Sequence, residues 1–524
     1  MTKKAIFTLM AVALVLAVPG FGQDTQGTLS MSLEECIVKA LKDNLGVAIQ
    51  VLGPQISAEG VNAAQEKYIP TLSMSARSQK QESNSYSFLD AQAESSINRT
   101  QNYTFLSASQ TLPTGGTLSL DFTGYRTVSN QTGVTINPRF GTTLRFSLNQ
   151  PLLKNFGLKI NQREILVAKN NLGISEENLK NTLMTTIYNV ESAYWNLVYS
   201  IESLEVRRQS LALAKDLLEK NQRSVEVGTL APMEVLSARA EVATREADLI
   251  LAETQIQSYE DQLRILLNMT EDEGPYAAAL VPKDKPVYVA RKVDLKEALA
   301  AAIANRPDLE ISRIGLESNK LSLSLAKNQA LPDLSLSASY YSPGIDGTRI
   351  VYVGSPLDGI VAYTIPGGIS GAMKQTTSFK YPNWNLGLTL SIPLSNIFSR
   401  ANLAQARLNM QQAMLELEQQ RSQVYLEIKN AVRSVESNYK RILAYTTARE
   451  LAEQKLGAEE EKRRVGMSTN YMVLTYQRDL ANARISELNS IISYNVSLAA
   501  LEKAMGTSLK SKNIQLSDYS PALD

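Results

Sequence analysis

A seven-residue apolar step limits what this chain can fold into more than any other feature. Leu183, Val190, Leu197, Leu204, Leu211, Leu218 and Val225 follow one another at that step without a miss. After a break at Gly228-Thr229-Leu230-Ala231-Pro232, Val235, Val242, Leu249, Ile256 and Leu263 keep the same step. An α-helix has about 3.6 residues per turn, so a strict seven-residue repeat lays one apolar seam along it and bends it into a left-handed supercoil. The first arm, from about Gln162 to Val225, predicts a rod on the order of 95 Å long at 1.5 Å per residue. Globular helices average roughly 11–12 residues. A single narrow seam cannot enclose a globular core, so these arms must pack on other helices, of this chain or of its copies.

The chain repeats itself. Leu33, Glu35, Ala40, Ile49, Gly53, Ala64, Pro70, Leu72, Ser73, Ser75 and Ala76 each meet an identical residue 262 positions later, from Leu295 to Ala338, without a gap. Further on, Pro151-Leu152 answers Pro393-Leu394, and Val227-Gly228 answers Val465-Gly466. Each half reads helix, strands, long helix, break, helix. The first helix of each half is interrupted, at Leu45-Gly46 and at Pro307, whose ring has no N–H to continue the ladder. The second half's seam runs through Ile428, Val435 and Ile442, slips where Arg449 falls on the step, and returns at Leu456, with Val473 and Leu480 beyond Gly466.

At Pro70 and Pro332 the period changes to two. Leu118, Leu120 and Phe122 alternate with Ser119, Asp121 and Thr123; Leu144, Phe146 and Leu148 with Arg145, Ser147 and Asn149; Leu386, Leu388 and Leu390 with Gly387 and Thr389. That is one apolar and one polar face per strand. A soluble sandwich would show the same alternation. A transmembrane barrel is favoured because the polar face is rich in hydroxyls and carries Asp121 and Arg145, and because long polar loops are expected on one side only, at 90–101, 129–139 and 342–380. The first strand region is 20 residues longer than its copy. The excess contains a tight-turn sequence at 110–116, so an extra hairpin is expected there, with its place relative to the barrel wall left open.

Composition removes whole classes of function. The 524 residues contain no histidine, which excludes Ser-His-Asp triads and imidazole metal ligands. Cys36 is the only cysteine, so there is no intrachain disulfide and no multi-cysteine metal site. Lysine plus arginine is 53 against 52 for aspartate plus glutamate, which gives no electrostatic case for nucleic acid. The 13 methionines are scattered rather than clustered. Gly367-Gly368-Ile369-Ser370-Gly371 lacks the Gly-Lys-Ser/Thr ending of a phosphate loop and reads as extracellular loop. Glu34-Glu35 and Glu459-Glu460-Glu461 read as solvated helix faces. No enzyme and no cofactor is expected.

Lys3 and Lys4, an apolar run from Ala5 to Val18, and Gly20 and Gly22 have the layout of a secretory signal peptide cut near Gly22. After Val18 no apolar stretch is long enough for a spanning helix, so entry into a membrane requires a β-barrel. The expected division is 1–22 signal peptide, 23–69 first helices, 70–150 strands and 151–270 long hairpin. A linker at 271–294 follows, then 295–331 helix, 332–393 strands, 394–506 long hairpin and 507–524 polar tail.

Duplicated halves, the Leu-x-Glu-Ala/Cys helices, a proline at each helix-to-strand switch, and Val-Gly-x(6)-Val-Leu at each helix tip resemble the TolC-type outer-membrane efflux proteins. Val227-Gly228 with Val235-Leu236 and Val465-Gly466 with Val473-Leu474 carry the tip pattern. The resemblance covers nearly all of the chain after residue 22. It implies an α+β membrane protein: a homotrimer with four strands per protomer in a twelve-stranded transmembrane antiparallel barrel, continuous with a long coiled-coil α-helical barrel. It implies an outer-membrane exit duct of a tripartite efflux or type I secretion system, with a long periplasmic extension. The implied partners are outer-membrane lipid, a periplasmic adaptor and an inner-membrane pump driven by protons or ATP.

The resemblance also assigns roles at the tips. Glu234 stands where the family often has an acid, and in a threefold assembly it would form a carboxylate ring that favours cations. An acid in the first turn of a helix is equally explained by the helix dipole. The family's other acidic positions fall on Met472 and Thr475, so a second acidic ring is absent. Arg463 and Arg464 are in position to pair with Glu234. Gly228, Thr229, Met233, Gly466, Met467 and Ser468 are the implied adaptor-docking residues, although a turn alone also explains the glycines. The alternative to a duct is a soluble periplasmic coiled-coil scaffold or adhesin with a β head.

Overall fold

The computed structural model describes residues 28–84, 96–269 and 278–515. The expected signal peptide, part of the loop expected at 90–101, part of the linker and half of the polar tail lie outside the described residues. In chain order the elements are β1 (Thr28–Met31), α1 (Leu33–Asp43), α2 (Leu45–Glu66), β2 (Thr71–Asn84), β3 (Ser96–Thr111), β4 (Thr117–Ser129), β5 (Ile136–Pro151), α3 (Leu158–Asn161), α4 (Arg163–Glu226) and α5 (Pro232–Leu266). Then come β6 (Ala279–Pro282), α6 (Leu295–Asn305), α7 (Pro307–Gln329), β7 (Asp333–Tyr352), β8 (Val361–Ile365), α8 (Ile369–Thr377), β9 (Asn383–Ser391), α9 (Ile397–Arg464), α10 (Asn470–Ala504) and α11 (Ser508–Ser511). The described residues of 28–44, 186–291 and 434–499 form one compact unit, and those of 45–185, 292–433 and 500–515 form another.

Local chemistry sets the boundaries. Ser32 and Glu35 form a capping box that starts α1, and extended Asn44 separates α1 from α2. The residue before a proline is pushed out of the helical region. Arg306, with ψ 123°, therefore ends α6, and Pro307 begins α7 in the first position.

The second unit holds a seven-stranded antiparallel sheet in the order β2-β3-β4-β5-β7-β8, with β9 also on β7. β9 pairs with Asp333–Tyr341 and β8 with Arg349–Tyr352, so these two short strands share one side of the long β7. The register carries the alternation across the sheet. Leu106, Phe122, Leu144 and Ser342 lie in one row of the apolar face, and Ser107, Asp121, Arg145 and Tyr341 in one row of the polar face. On the polar face Ser107 and Ser119 donate to the Asp121 carboxylate, and Arg145 stacks over Tyr341 at 4.8 Å. Over β9 the apolar face is open, with Trp384 76% and Leu388 65% exposed.

Expectations about the loops and the strand number are corrected here. The stretch 342–380 is not a loop, because it contains the upper half of β7, β8 and α8. Gly367 to Gly371 leads into α8, which lies on the apolar side of β5 and β7. Thr376 and Thr142 hydroxyls are 2.6 Å apart, and Phe379 stacks on Tyr340 at 5.7 Å. The close fit needs glycine, since a Cβ at Gly344 would fall 2.1 Å from the Ala372 carbonyl oxygen. Periodicity did not reveal α8 because its nine residues contact the sheet through small side chains rather than an apolar stripe. The stretch 129–139 shortens to a connection before Ile136, because β5 begins earlier than its alternation shows. The sheet also departs from the four strands that the resemblance implies. β3 and β4 are full members of it, so β2, β3, β4, β5, β7 and β9 stand side by side, and the sheet of one chain is open.

The first unit is built on the seam. Val190, Leu197, Val435 and Ile442 are at most 1% exposed. Where the second seam slips, Arg449 reaches Glu487 of α10 at 2.8 Å, and Arg484 of α10 reaches Glu453 at 3.3 Å, so ion pairs replace apolar contact. The linker is tied down in this unit. β6 pairs in parallel with β1, Tyr194 donates to Asp284 at 2.7 Å, and Tyr494 donates to the Val289 carbonyl at 2.9 Å. Burial pushes the Tyr194 phenol's pKa up. No helix among the described residues is long and apolar enough to cross a membrane.

Candidate channel aperture

Two helical hairpins of the first unit end in turns with the same geometry. α4 passes to α5 through Val227–Ala231, and α9 to α10 through Val465–Thr469. The second residue of each turn is glycine with positive φ, +79° at Gly228 and +80° at Gly466. Each glycine N–H bonds a carbonyl three residues back, Val225 or Arg463. Each following N–H, of Thr229 or Met467, reaches five residues back, to Ser224 or Lys462. These wide turns satisfy the last helical carbonyls, and left-handed backbone at that point favours glycine. Pro232 then opens α5 with its fixed φ.

The sequence-identified residues sit on and beside these turns. Glu234 is half-buried in the first turn of α5. Met472 and Thr475 are half-buried in the first turns of α10, and the Thr475 hydroxyl bonds back to the Tyr471 carbonyl at 2.9 Å. Met233 is 67% and Met467 78% exposed, beside exposed Val227, Leu236, Val465 and Tyr471. The turns thus present apolar side chains to water. The pairing of Arg463 or Arg464 with Glu234 is not made within the chain. Arg464 instead reaches Glu461 on its own helix at 2.8 Å, since a three-residue step brings the two onto one face.

Glu459 is not part of a solvated face, which corrects the reading of the carboxylate run. It is 7% exposed, accepts from the Ser468 hydroxyl of the turn, and pairs with Lys462 at 3.1 Å. The Ser468 hydroxyl, then Lys462, hold its carboxyl below the usual glutamate range. It fastens the second turn to the helix behind it.

Behind the turns lies a cluster of Leu211, Ala214, Leu217, Ala238, Val242, Leu456, Val473, Leu474 and Leu480. Polar residues are set into the same bundle. Arg245 is 5% exposed and donates to the carbonyls of Ser210 at 2.6 Å and Leu474 at 3.2 Å, with Glu241 at 3.0 Å. One side chain thereby joins α4, α5 and α10. Asn221 is 1% and Gln477 7% exposed, and Asn221 Nδ2 and Gln477 Oε1 have no hydrogen-bond partner. Sequence reasoning passed over Asn221 and Arg245 and read Glu459 as solvated, although a signal was there. Asn221 stands three after Leu218, Arg245 three after Val242 and Glu459 three after Leu456, in the second stripe of each seam. A polar residue at a core position fixes register at a cost in stability, and a buried orphaned polar atom costs about 1–3 kcal/mol. The tip end of the bundle is thus held in register by polar contacts while its packing is weakened by them.

Comparison with known proteins places the chain in a family. The family model described as outer membrane efflux protein matches residues 138–269 and 298–507, more than half of the chain. The first segment begins within β5, so β2, β3 and β4 lie outside it. The outer membrane protein TolC of Escherichia coli is 27% identical over 357 residues, covering 66% of this chain and 66% of TolC, just under two thirds. The outer membrane efflux protein BepC of Brucella suis is 22% identical over 99% of this chain and 94% of its own length. Among solved structures, the outer-membrane channel OprN superposes with a TM-score of 0.65 at 14% identity, over 91% of this chain and 90% of that one. The CmeC outer membrane channel of Campylobacter jejuni superposes at 0.62 and 18% identity, over 94% and 90%.

Proposed function

The chain belongs to the outer membrane efflux protein family, as an outer-membrane channel with a large periplasmic part, and on that premise we propose that three copies form the exit duct of a tripartite efflux or secretion system. The strands of three copies close one barrel in the membrane, and the helical arms enclose a periplasmic conduit. A periplasmic adaptor docks on the turns through Gly228, Thr229, Met233, Gly466, Met467 and Ser468, and an inner-membrane pump supplies the cargo. The observation that carries this reading is the two-faced sheet. An open apolar face with Trp384, Leu386 and Leu388 exposed suits lipid, and a face of hydroxyls with Asp121 and Arg145 suits water. A soluble scaffold or adhesin would leave that apolar face in water, where contiguous patches of this kind are rare.

Glu234, repeated by threefold symmetry, forms the ring that narrows the periplasmic end, with Met472, Thr475, Arg463 and Arg464 around it. The test of the duct is fractionation. A heat-modifiable trimer in outer-membrane extracts is expected, and release of the protein by osmotic shock overturns the reading. The test of the ring is Glu234→Ala in planar bilayers. Higher single-channel conductance and weaker cation preference are expected, and unchanged values on both counts reject the assignment.

A further inference from the structure

We propose that the β3–β4 hairpin is built into the barrel wall, so that three copies close a barrel of eighteen strands, six from each, wider than the twelve-stranded barrel of the resemblance. The proposal rests on the trimeric duct described above.

Both faces of the hairpin continue the faces of its neighbours. On the apolar side Leu106 meets Met74 of β2 and Phe122 of β4, and Phe122 meets Leu144 of β5. On the polar side Ser107 meets Ser73 and Asp121, and Asp121 meets Arg145. A hairpin folded into the lumen as a plug would have no use for an apolar face in register with the lipid-facing rows. A hairpin that is part of the wall must have one.

The foot of the hairpin is fixed in the same unit. Its turn, Leu112–Gly116, sits between the ends of β2 and β5. Thr114 Oγ1 donates to Gln150 at 2.8 Å, the Gly157 N–H donates to the Thr114 carbonyl at 3.1 Å, and Gln110 donates to the Tyr68 carbonyl at 3.3 Å. A Cβ at Gly115 would fall 2.3 Å from the Asn155 carbonyl oxygen, so the turn is pressed against the strand-to-helix junction.

The widths agree. The arms of this unit adjoin one another in the order α2, α4, α7, α9. A Cβ at Gly53 of α2 would fall 2.8 Å from Ser175 of α4, Asn170 of α4 bonds Ser318 of α7 at 2.9 Å, and Gln420 of α9 bonds Asp308 of α7 at 2.7 Å. Four helices spaced 8–10 Å apart occupy about 32–40 Å of circumference. Six strands about 4.8 Å apart, tilted by about 40°, occupy about 38 Å, whereas four strands occupy about 25 Å. Six strands match the arms at ordinary tilt, and four reach the same width only at a steeper tilt.

The edges also fit. The sheet alternates in direction from β2 to β9, so β9 of one copy runs antiparallel to β2 of the next. Inserting a hairpin adds two strands and leaves that relation unchanged. Six strands are fewer than the roughly eight that the smallest barrels use, so one chain cannot close on itself. Barrel diameter grows about linearly with strand number, so at equal tilt the barrel is wider than one of twelve strands.

Two experiments decide this. In a Cys36→Ala background, Ser73→Cys on β2 is combined in turn with Thr389→Cys and Ser391→Cys on β9. Within one sheet these edges lie five strand spacings apart, about 24 Å, so only a bond between copies is possible. Disulfide-linked dimers and trimers on non-reducing denaturing gels are expected. An internally bridged monomer, or an intact trimer that links in neither combination, overturns the proposal. The second experiment deletes β3 and β4, residues 96–129, and measures the largest polyethylene glycol that lowers conductance from the barrel side. The limiting radius is expected to fall by about a third. An unchanged or larger radius, as for removal of a plug, overturns it. If the deletion does not assemble, a second pair of bridges decides: in the intact trimer Ser73→Cys with Ser107→Cys and, separately, Ser119→Cys with Ser147→Cys are expected to bridge within the chain, as a hairpin set between β2 and β5 requires, and failure of either bridge overturns the proposal. A wild-type chain that forms no trimer overturns the duct itself, which the first gel reports separately.

Discussion

The guanidinium of Arg245, on α5, donates to the backbone carbonyl of Leu474, on α10, across 3.2 Å, and to that of Ser210, on α4, across 2.6 Å. A charge buried this deeply is held by its partners, so removing it strands Glu241 and two carbonyls. Arg245→Ala is expected to destabilise the helical bundle by about 3–5 kcal/mol, read as a lowered urea midpoint. Glu241→Gln should cost less than half as much, because both carbonyl contacts remain. Equal losses in the two variants would assign the effect to the ion pair alone.

The Glu459 carboxylate links pH to the second tip. Its pKa is depressed in the folded chain, first by the Ser468 hydroxyl and then by Lys462. Its stabilisation is therefore fully present above the ordinary glutamate pKa, about 4.3, and is lost as pH falls through the lower folded value. Hydrogen exchange over 459–470, corrected for intrinsic rates, should show protection falling below about pH 4. Ser468→Ala should weaken protection at pH 7 and flatten this dependence. A variant as pH-sensitive as the wild type would remove Ser468 from the account.

The two turn glycines lie in open space, so only their backbone conformation is at issue. Gly228→Ala and Gly466→Ala should each cost about 1–2 kcal/mol, confined to faster amide exchange in the turns. Gly→Asn at the same positions should cost less, since asparagine tolerates left-handed backbone better. Global unfolding by either alanine variant would show that the turns carry more than local structure.

Cys36 is 1% exposed, and burial pushes its thiol pKa up to about 12. A maleimide at pH 8 should leave the native protein unlabelled and modify one site per chain after unfolding in urea. Rapid native labelling would place Cys36 outside the core.

α8 should be displaced by a single methyl group. Gly344→Ala puts a carbon 2.1 Å from the Ala372 carbonyl oxygen, so the helix or the strand must move. Overpacking of this kind costs about 1–3 kcal/mol. Proteolysis should then cut within 366–380 while β7 stays protected. An unchanged digest would mean that α8 is held from elsewhere.

The sequence by itself determined the local order: the seams, the alternation, the duplication, and the breaks around Asn44, Arg306, Gly228 and Gly466. Each follows from periodicity or from a proline or glycine acting on its own neighbours, and neither depends on distant residues. The tertiary structure alone decided which distant segments meet. It paired β1 with β6 across 250 residues of chain, inserted β3 and β4 between β2 and β5, laid α8 on the sheet, and gave Arg245 its carbonyls on two other helices. Alternation states that a strand has a greasy side, but a strand's hydrogen-bonding edges are the same for every sequence, so its neighbours are chosen by register and packing. For the same reason a charged residue on a seam signals a buried partner without naming it.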